Sequence, residues 1–164
     1  MTKSVISQSF IAFAREHFRL DWTGIHGAPH WSRVRLNGLK LGNHYGVDTE
    51  VIEWFAFLHD LERRNDDQDP AHGERAAILA DRLNKTYMKL SADRLLLLQT
   101  ACIFHSDGEQ LGDPTCMVCW DADRLDLGRV GIEPNPDKLC TRLAKDPDFI
   151  DECWRRSVYG CWKL

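Results

Sequence analysis

The chain has 164 residues, 43% of them hydrophobic and 28% charged, with a formal net charge of -4. That length suits one domain over residues 1–164, burying about 70% of its unfolded surface, and the acidic balance excludes a basic footprint for extended nucleic acid. No apolar run approaches the ~20 residues of a membrane span, and MTKSVISQSF lacks a signal-peptide core, so no membrane association and a cytoplasmic location are expected.

Hydrophobic periodicity predicts helices almost throughout. Residues 4–20 read as an amphipathic helix, followed by the loop DWTGIHGAP with Gly24, Gly27 and Pro29 as breakers. A second helix is expected from His30 to Leu41, stopping at Gly42. Asp48 is a suitable N-cap for a third, reaching His59-Asp60. Residues 61–71 read as a polar loop, and its acidic run NDDQD as a solvated connector. A fourth helix spans 72–90, and Ser91 caps a fifth, ADRLLLLQTACIFH. After the loop SDGEQLGDP comes a helix around 115–127. Pro134 and Pro136 mark an irregular segment, and Asp148 is placed to cap a last helix to Tyr159. No strand alternation and no internal repeat are visible. The expected fold is all-α, a compact helical bundle of about six to eight helices.

The six cysteines read as reduced thiols in a chain with a core this large. Cys116 and Cys119 make a lone C-x-x-C with no second pair, so buried thiols are expected there rather than a zinc site.

Chemistry gathers at the helix ends. From Val51 to Leu58 only Glu53 is polar, so that helix belongs in the interior and His59-Asp60 at its end lie at least partly buried. A buried carboxylate is costly unless paired or metal-bound. His30 and His72 open helices, His105 closes one after LLLLQTACIF, and Asp121 and Asp123 sit in CWDADRLDLGR. Each of these alone suits a structural role. Together, four histidines and two aspartates fit two metal ions held by inward side chains of facing helices, with Asp60 bridging. Imidazole and carboxylate without thiolate suit Mn or Fe, with Co, Ni or Zn also accommodated. His26, four residues before His30, is placed to orient a ligand or a water. Trp22, Trp31, Trp54 and Trp120 are expected to pack the core, Trp31 also being close enough to His30 to line a pocket.

These residues resemble the HD-domain metal-dependent phosphohydrolases. The family's H-x-x-R-V is met by His30-Trp31-Ser32-Arg33-Val34, its naming dyad by His59-Asp60, and its closing A-D-[RK] by Ala122-Asp123-Arg124. That match selects Asp123 over Asp121. His72 in HGERAA and His105 in HSDG resemble the additional histidines of the two-metal subset, ordered H, HD, H, H, D. In this respect the chain is most similar to bacterial HD hydrolases that cleave diadenosine tetraphosphate. The resemblance spans about residues 26–129, and residues 130–164 match no functional pattern.

The resemblance implies an HD-type helical fold, with His30, His59, Asp60 and Asp123 on one ion and Asp60, His72 and His105 on the other. It implies hydrolysis of a phosphoester or phosphoanhydride of a small, nucleotide-like substrate by a metal-activated hydroxide. Where many members carry H-D-x-x-K, this chain has Arg63 followed by Arg64, which keeps the charge but replaces a point charge with a bidentate fork. Arg63, beside Asp60, is the expected catalytic cation, and Arg63, Arg64, Arg33 and Arg129 are the expected substrate contacts. Arg33 is equally suited to an ion pair within the domain. Glu62 is placed either to accept a proton or to face solvent. Three alternatives remain: a single-metal nucleotide phosphatase or pyrophosphohydrolase, a non-catalytic HD module that binds a nucleotide, and a di-iron oxygenase.

Overall fold

A computed structural model describes residues 4–160. Among the described residues, seven α-helices make up the fold: α1 (Gln8–His17), α2 (Ala28–Tyr45), α3 (Thr49–Leu58), α4 (His72–Leu83), α5 (Ala92–Phe104), α6 (Pro114–Arg124) and α7 (Pro147–Tyr159). No strand occurs among the described residues, and no described helix is long and apolar enough to cross a membrane.

The centre of the bundle is α3. Every residue from Val51 to Leu58 is buried, as its all-round apolar sequence requires. Even Glu53 is enclosed, accepting hydrogen bonds from Ser4 Oγ and Val5 N at 3.0 Å each and from Arg35 Nε at 2.6 Å. Asp48 caps α3 by accepting from Glu50 N and Val51 N, and Arg94 of α5 holds the same carboxylate at 2.5 and 2.7 Å. Around α3 pack α2, α5 and α6, with α4 lying mainly against α5.

Two glycines let α2 approach α3 closely. A Cβ at Gly38 would lie 2.5 Å from Ile52 Cγ2, and one at Gly42 would lie 2.6 Å from Ile52 Cδ1. Gly42 is therefore a packing residue inside the helix and not its end. The helix runs on to Gly46, whose φ of +65° closes it. It also starts earlier than the sequence suggests, because Pro29 lies in the first turn, where a missing N–H costs nothing.

Other boundaries move for local reasons. α1 covers only Gln8–His17, with Ser7 as its cap. α4 stops at Leu83 and continues as one π-turn, Asn84–Met88, before Lys89 turns at φ 56°. α6 spans Pro114–Arg124 and gives way to a 3-10 turn, Leu127–Val130. Asp146, and not Asp148, caps α7, because Pro147 occupies the first turn. The expected aromatic core is present. Trp31 is fully buried against Phe18 and Trp22, and Trp54 packs edge-on to Phe10.

Candidate metal centre

Five helix ends converge on one point. His30 is the third residue of α2, His59 follows α3 and is itself followed by Asp60, His72 opens α4, His105 follows α5, and Asp123 lies in the last turn of α6. All but Asp123 are buried, His30 and His59 fully so. The close contact of α4 with α5 is set by Gly73, where a Cβ would stand 2.3 Å from the Cys102 carbonyl oxygen.

The side chains form two clusters around one carboxylate. In the first, His30 Nε2 and His59 Nε2 are 2.9 Å apart, with Asp60 Oδ2 at 3.6 and 3.7 Å and Asp123 Oδ1 at 3.3 and 3.9 Å. In the second, His72 Nε2 and His105 Nε2 are 2.8 Å apart, with Asp60 Oδ1 at 3.3 and 3.7 Å. Asp60 thus turns one oxygen to each histidine pair. Each trio centred on Asp60, His30 with His59 and His72 with His105, offers atoms all within 4.8 Å of one another.

The donor set fits metal ions. Each ring has its Nδ1 committed elsewhere: His30 to Asp126 Oδ2 at 2.7 Å, His59 to Phe55 O at 3.1 Å, His72 to Asp69 O at 2.5 Å and His105 to Cys102 O at 2.7 Å. A neutral imidazole donating from Nδ1 carries a lone pair on Nε2. Two such lone pairs point at each other within each cluster, an arrangement that repels unless a cation sits between them. Asp123 Oδ1 is also buried there without a hydrogen-bond partner.

The electrostatics run the same way. Burial, opposed by the charges of Asp60 and Asp123, lowers the His59 pKa to about 3, so the ring is neutral at physiological pH. Burial works against ionisation of Asp60, but His59, His105, His26 and His72 together hold its carboxyl well below the usual carboxylate range. Asp123 is likewise lowered against its burial, by His30 and Arg129. Burial of His105 is outweighed by Asp60 and Asp123, which raise its pKa. Both carboxylates are thus held in the charged form beside the histidines, Asp60 buried and Asp123 partly so.

The arginines separate. Arg63 lines the cavity above the clusters. Its Nη2 donates to Asp67 O at 2.7 Å, and its Nη1 lies 3.3 and 3.5 Å from the two ring nitrogens of His72 and 3.7 Å from Asp60 Oδ1. The near-equal distances to both nitrogens set it against the ring, leaving the Nε2 lone pair to face His105. Arg129 lines the same cavity, tied to Ile25 O at 2.9 Å and lying 3.8 Å from Asp123. Arg33 does not reach the cavity, because Asp126 holds it at 2.6 and 3.0 Å behind His30. Arg64 is exposed and outside the lining, with its backbone N–H donating to Asp69. Glu62 is engaged by His17 at 2.8 Å. The NDDQD run is more than a solvated connector: its Asn65 and Asp67 carbonyls hold Arg63, and Asp69 is held by Arg75.

Asp126 is the residue that sequence reasoning missed. Buried between His30 and Arg33, it fixes the histidine's tautomer, and its charge persists against burial because of both partners. A signal existed in the spacing, since Asp126 follows Asp123 by three residues. His26 donates from Nδ1 to Asp60 Oδ2 at 2.8 Å. Asp121 accepts instead from Cys140 N and from Thr141 N and Oγ1, and so anchors a loop. Cys116 and Cys119 are buried free thiols. Burial pushes the first up to about 12 and the second well above its usual range, so neither offers a thiolate.

Sequence comparison matches the chain to no family model and to no curated protein. Structural comparison finds a crystal structure described as a predicted HD superfamily hydrolase from an uncultured Thermotogales bacterium. The TM-score is 0.68 at 23% identity, over 92% of this chain and 86% of that one. The two share one helical fold.

Proposed function

We propose that this protein is a metal-dependent phosphohydrolase that cleaves a phosphoester or phosphoanhydride of a small, nucleotide-like substrate at a two-metal centre. The observation that carries the reading is the division of Asp60, with Oδ2 facing His30 and His59 and Oδ1 facing His72 and His105. His30, His59, Asp60 and Asp123 would hold one ion, and Asp60, His72 and His105 the other. Imidazole with carboxylate favours Mn or Fe and admits Co, Ni or Zn. When bound, a pair of ions lowers the pKa of an attacking water and neutralises phosphoryl oxygens.

The chain's own residues supply the rest. Asp126 and three backbone carbonyls each engage one Nδ1 atom, which aims the four Nε2 atoms inward. His26 fixes the rotamer of Asp60 from the cavity side. Arg63, held by the Asp67 carbonyl, presents a pre-oriented cation where charge grows on the phosphoryl group, which costs no reorganisation during reaction. Arg129 stands beside Asp123 as a second cation for the same group. The cavity of about 650 Å³ falls in the range of small-molecule sites.

The test is a panel of phosphomonoesters, diesters and anhydrides, assayed with Mn²⁺ or Fe²⁺ under anaerobic conditions beside Asp60→Ala. Metal-dependent phosphate release that disappears in a folded Asp60→Ala protein supports the reading. A panel without turnover in metal-loaded protein contradicts it.

A further inference from the structure

Most of the cavity is not needed to hold a phosphoryl group. A phosphoryl unit fills the space of a few waters at about 30 Å³ each, whereas the cavity measures about 650 Å³. One wall comes from residues 127–139, most of which lie beyond residues 26–129, where the family resemblance ends. Three aliphatic side chains, Leu127, Ile132 and Leu139, line it. Leu139 is almost fully buried, but Ile132 is 54% exposed, an apolar surface left facing the cavity.

This wall has little regular structure, yet it is fixed in place. Arg124 Nη1 donates to Lys138 O at 3.0 Å and its Nη2 to Glu109 O at 2.6 Å. Gln110 Nε2 donates to Asp137 O at 2.6 Å. The buried Asp121 carboxylate takes the N–H groups of Cys140 and Thr141 at 2.6 and 2.8 Å. A buried carboxylate spent on an irregular loop makes physical sense where the loop's position matters. Apart from Arg129, which stands beside Asp123, the charged side chains of this wall are of opposite sign, Glu133 against Lys138, and the guanidinium of Arg124 is occupied by carbonyls. What the wall offers is a rigid apolar surface that gains by being covered.

We propose that residues 127–139 form a leaving-group subsite for an organic phosphate with an apolar, ring-sized face. Ile132 is the side chain that distinguishes such a substrate from inorganic pyrophosphate or a small alkyl phosphate. The proposal rests on the phosphohydrolase reading, and it adds that residues 127–139 receive the organic group of the substrate, with Ile132 as its apolar contact.

Calorimetric binding to Mn²⁺-loaded protein tests it without turnover, using phenylphosphonate, methylphosphonate and methylenediphosphonate. Covering the half-open Ile132 side chain corresponds to roughly tenfold in affinity. Phenylphosphonate should therefore bind about tenfold more tightly than methylphosphonate, and Ile132→Ser should remove most of that preference while the melting temperature holds. Equal binding of the two monophosphonates, tighter binding of methylenediphosphonate, or a preference that survives Ile132→Ser overturns the subsite and leaves the phosphohydrolase reading standing. Failure of all three probes to bind overturns both.

Discussion

Gly73→Ala isolates one half of the centre. The new Cβ would lie 2.3 Å from the Cys102 carbonyl oxygen and 3.1 Å from that of Ile103, both backbone atoms that no rotamer change can move. Restoring ordinary contact requires the N-terminus of α4 to retreat from α5 by about 1 Å. His72 is the preceding residue, and the Cys102 carbonyl is also the one that fixes His105 Nδ1 at 2.7 Å. One methyl group thus separates the 2.8 Å pair of Nε2 atoms and disturbs the tautomer of one of them. The first cluster, from α2, α3 and α6, has no contact with Gly73 among those the methyl would disturb. Overpacking of this kind costs about 1–3 kcal/mol, a drop of several degrees in melting temperature for a chain this size. Misplacing a supported ligand costs about 10–100-fold in metal affinity. Titration with Mn²⁺ should show one ion bound as in the unsubstituted protein and a second weakened by that factor, with native helix content by circular dichroism. Two ions held at unchanged affinity, or both weakened alike, would refute the division into two clusters.

Asp126→Ala strikes the other half: it frees His30 Nδ1 and leaves Arg33 buried without its partner, so a loss of about 3 kcal/mol by urea denaturation should accompany weakened binding at the first site. Arg63→Ala should retain both metals by elemental analysis yet lose about 10²–10³ in kcat/KM for any hydrolysed phosphoester. Asp48 gives a pH signature away from the centre. The Arg94 hydrogen bonds lower its pKa in the fold, with burial opposing, so its charge stabilises the protein above the unfolded carboxylate pKa and that stabilisation is lost as pH falls through the lower folded value. Asp48→Asn keeps a capping oxygen, so it should cost about 1 kcal/mol or less at neutral pH after solvent screening, and the difference should vanish in urea melts at acid pH.

Much of the candidate centre was legible because its proposed ligands sit where periodicity breaks. An apolar run ending in His59-Asp60, and helices opened by His30 and His72, mark helix ends in one chain without reference to any partner. The supports were harder to read, because their meaning lies between elements. Arg33 was recognisable as an ion-pair candidate, but its partner Asp126 is 93 residues away. Gly42 looks like a helix stop until Ile52 of α3 is placed against it. Arg64, adjacent to Arg63 and of the same charge, faces outward because the turn after Asp60 lets only one of the two reach His72. The wall from 127 to 139 carries no periodic pattern to read, because its backbone is held by side chains distant in sequence, Arg124 on Lys138 and Gln110 on Asp137.

The most direct test of the two-metal centre is the metal content of the folded protein, purified without oxygen or chelator, beside Asp60→Ala. Because Asp60 belongs to both candidate ligand groups, about two transition-metal ions per chain are expected, with both lost or sharply reduced in the variant. One ion per chain would remove His72 and His105 from the metal set and turn the site into a single-metal one. None, even after incubation with Mn²⁺ or Fe²⁺, would contradict the metallohydrolase account as a whole.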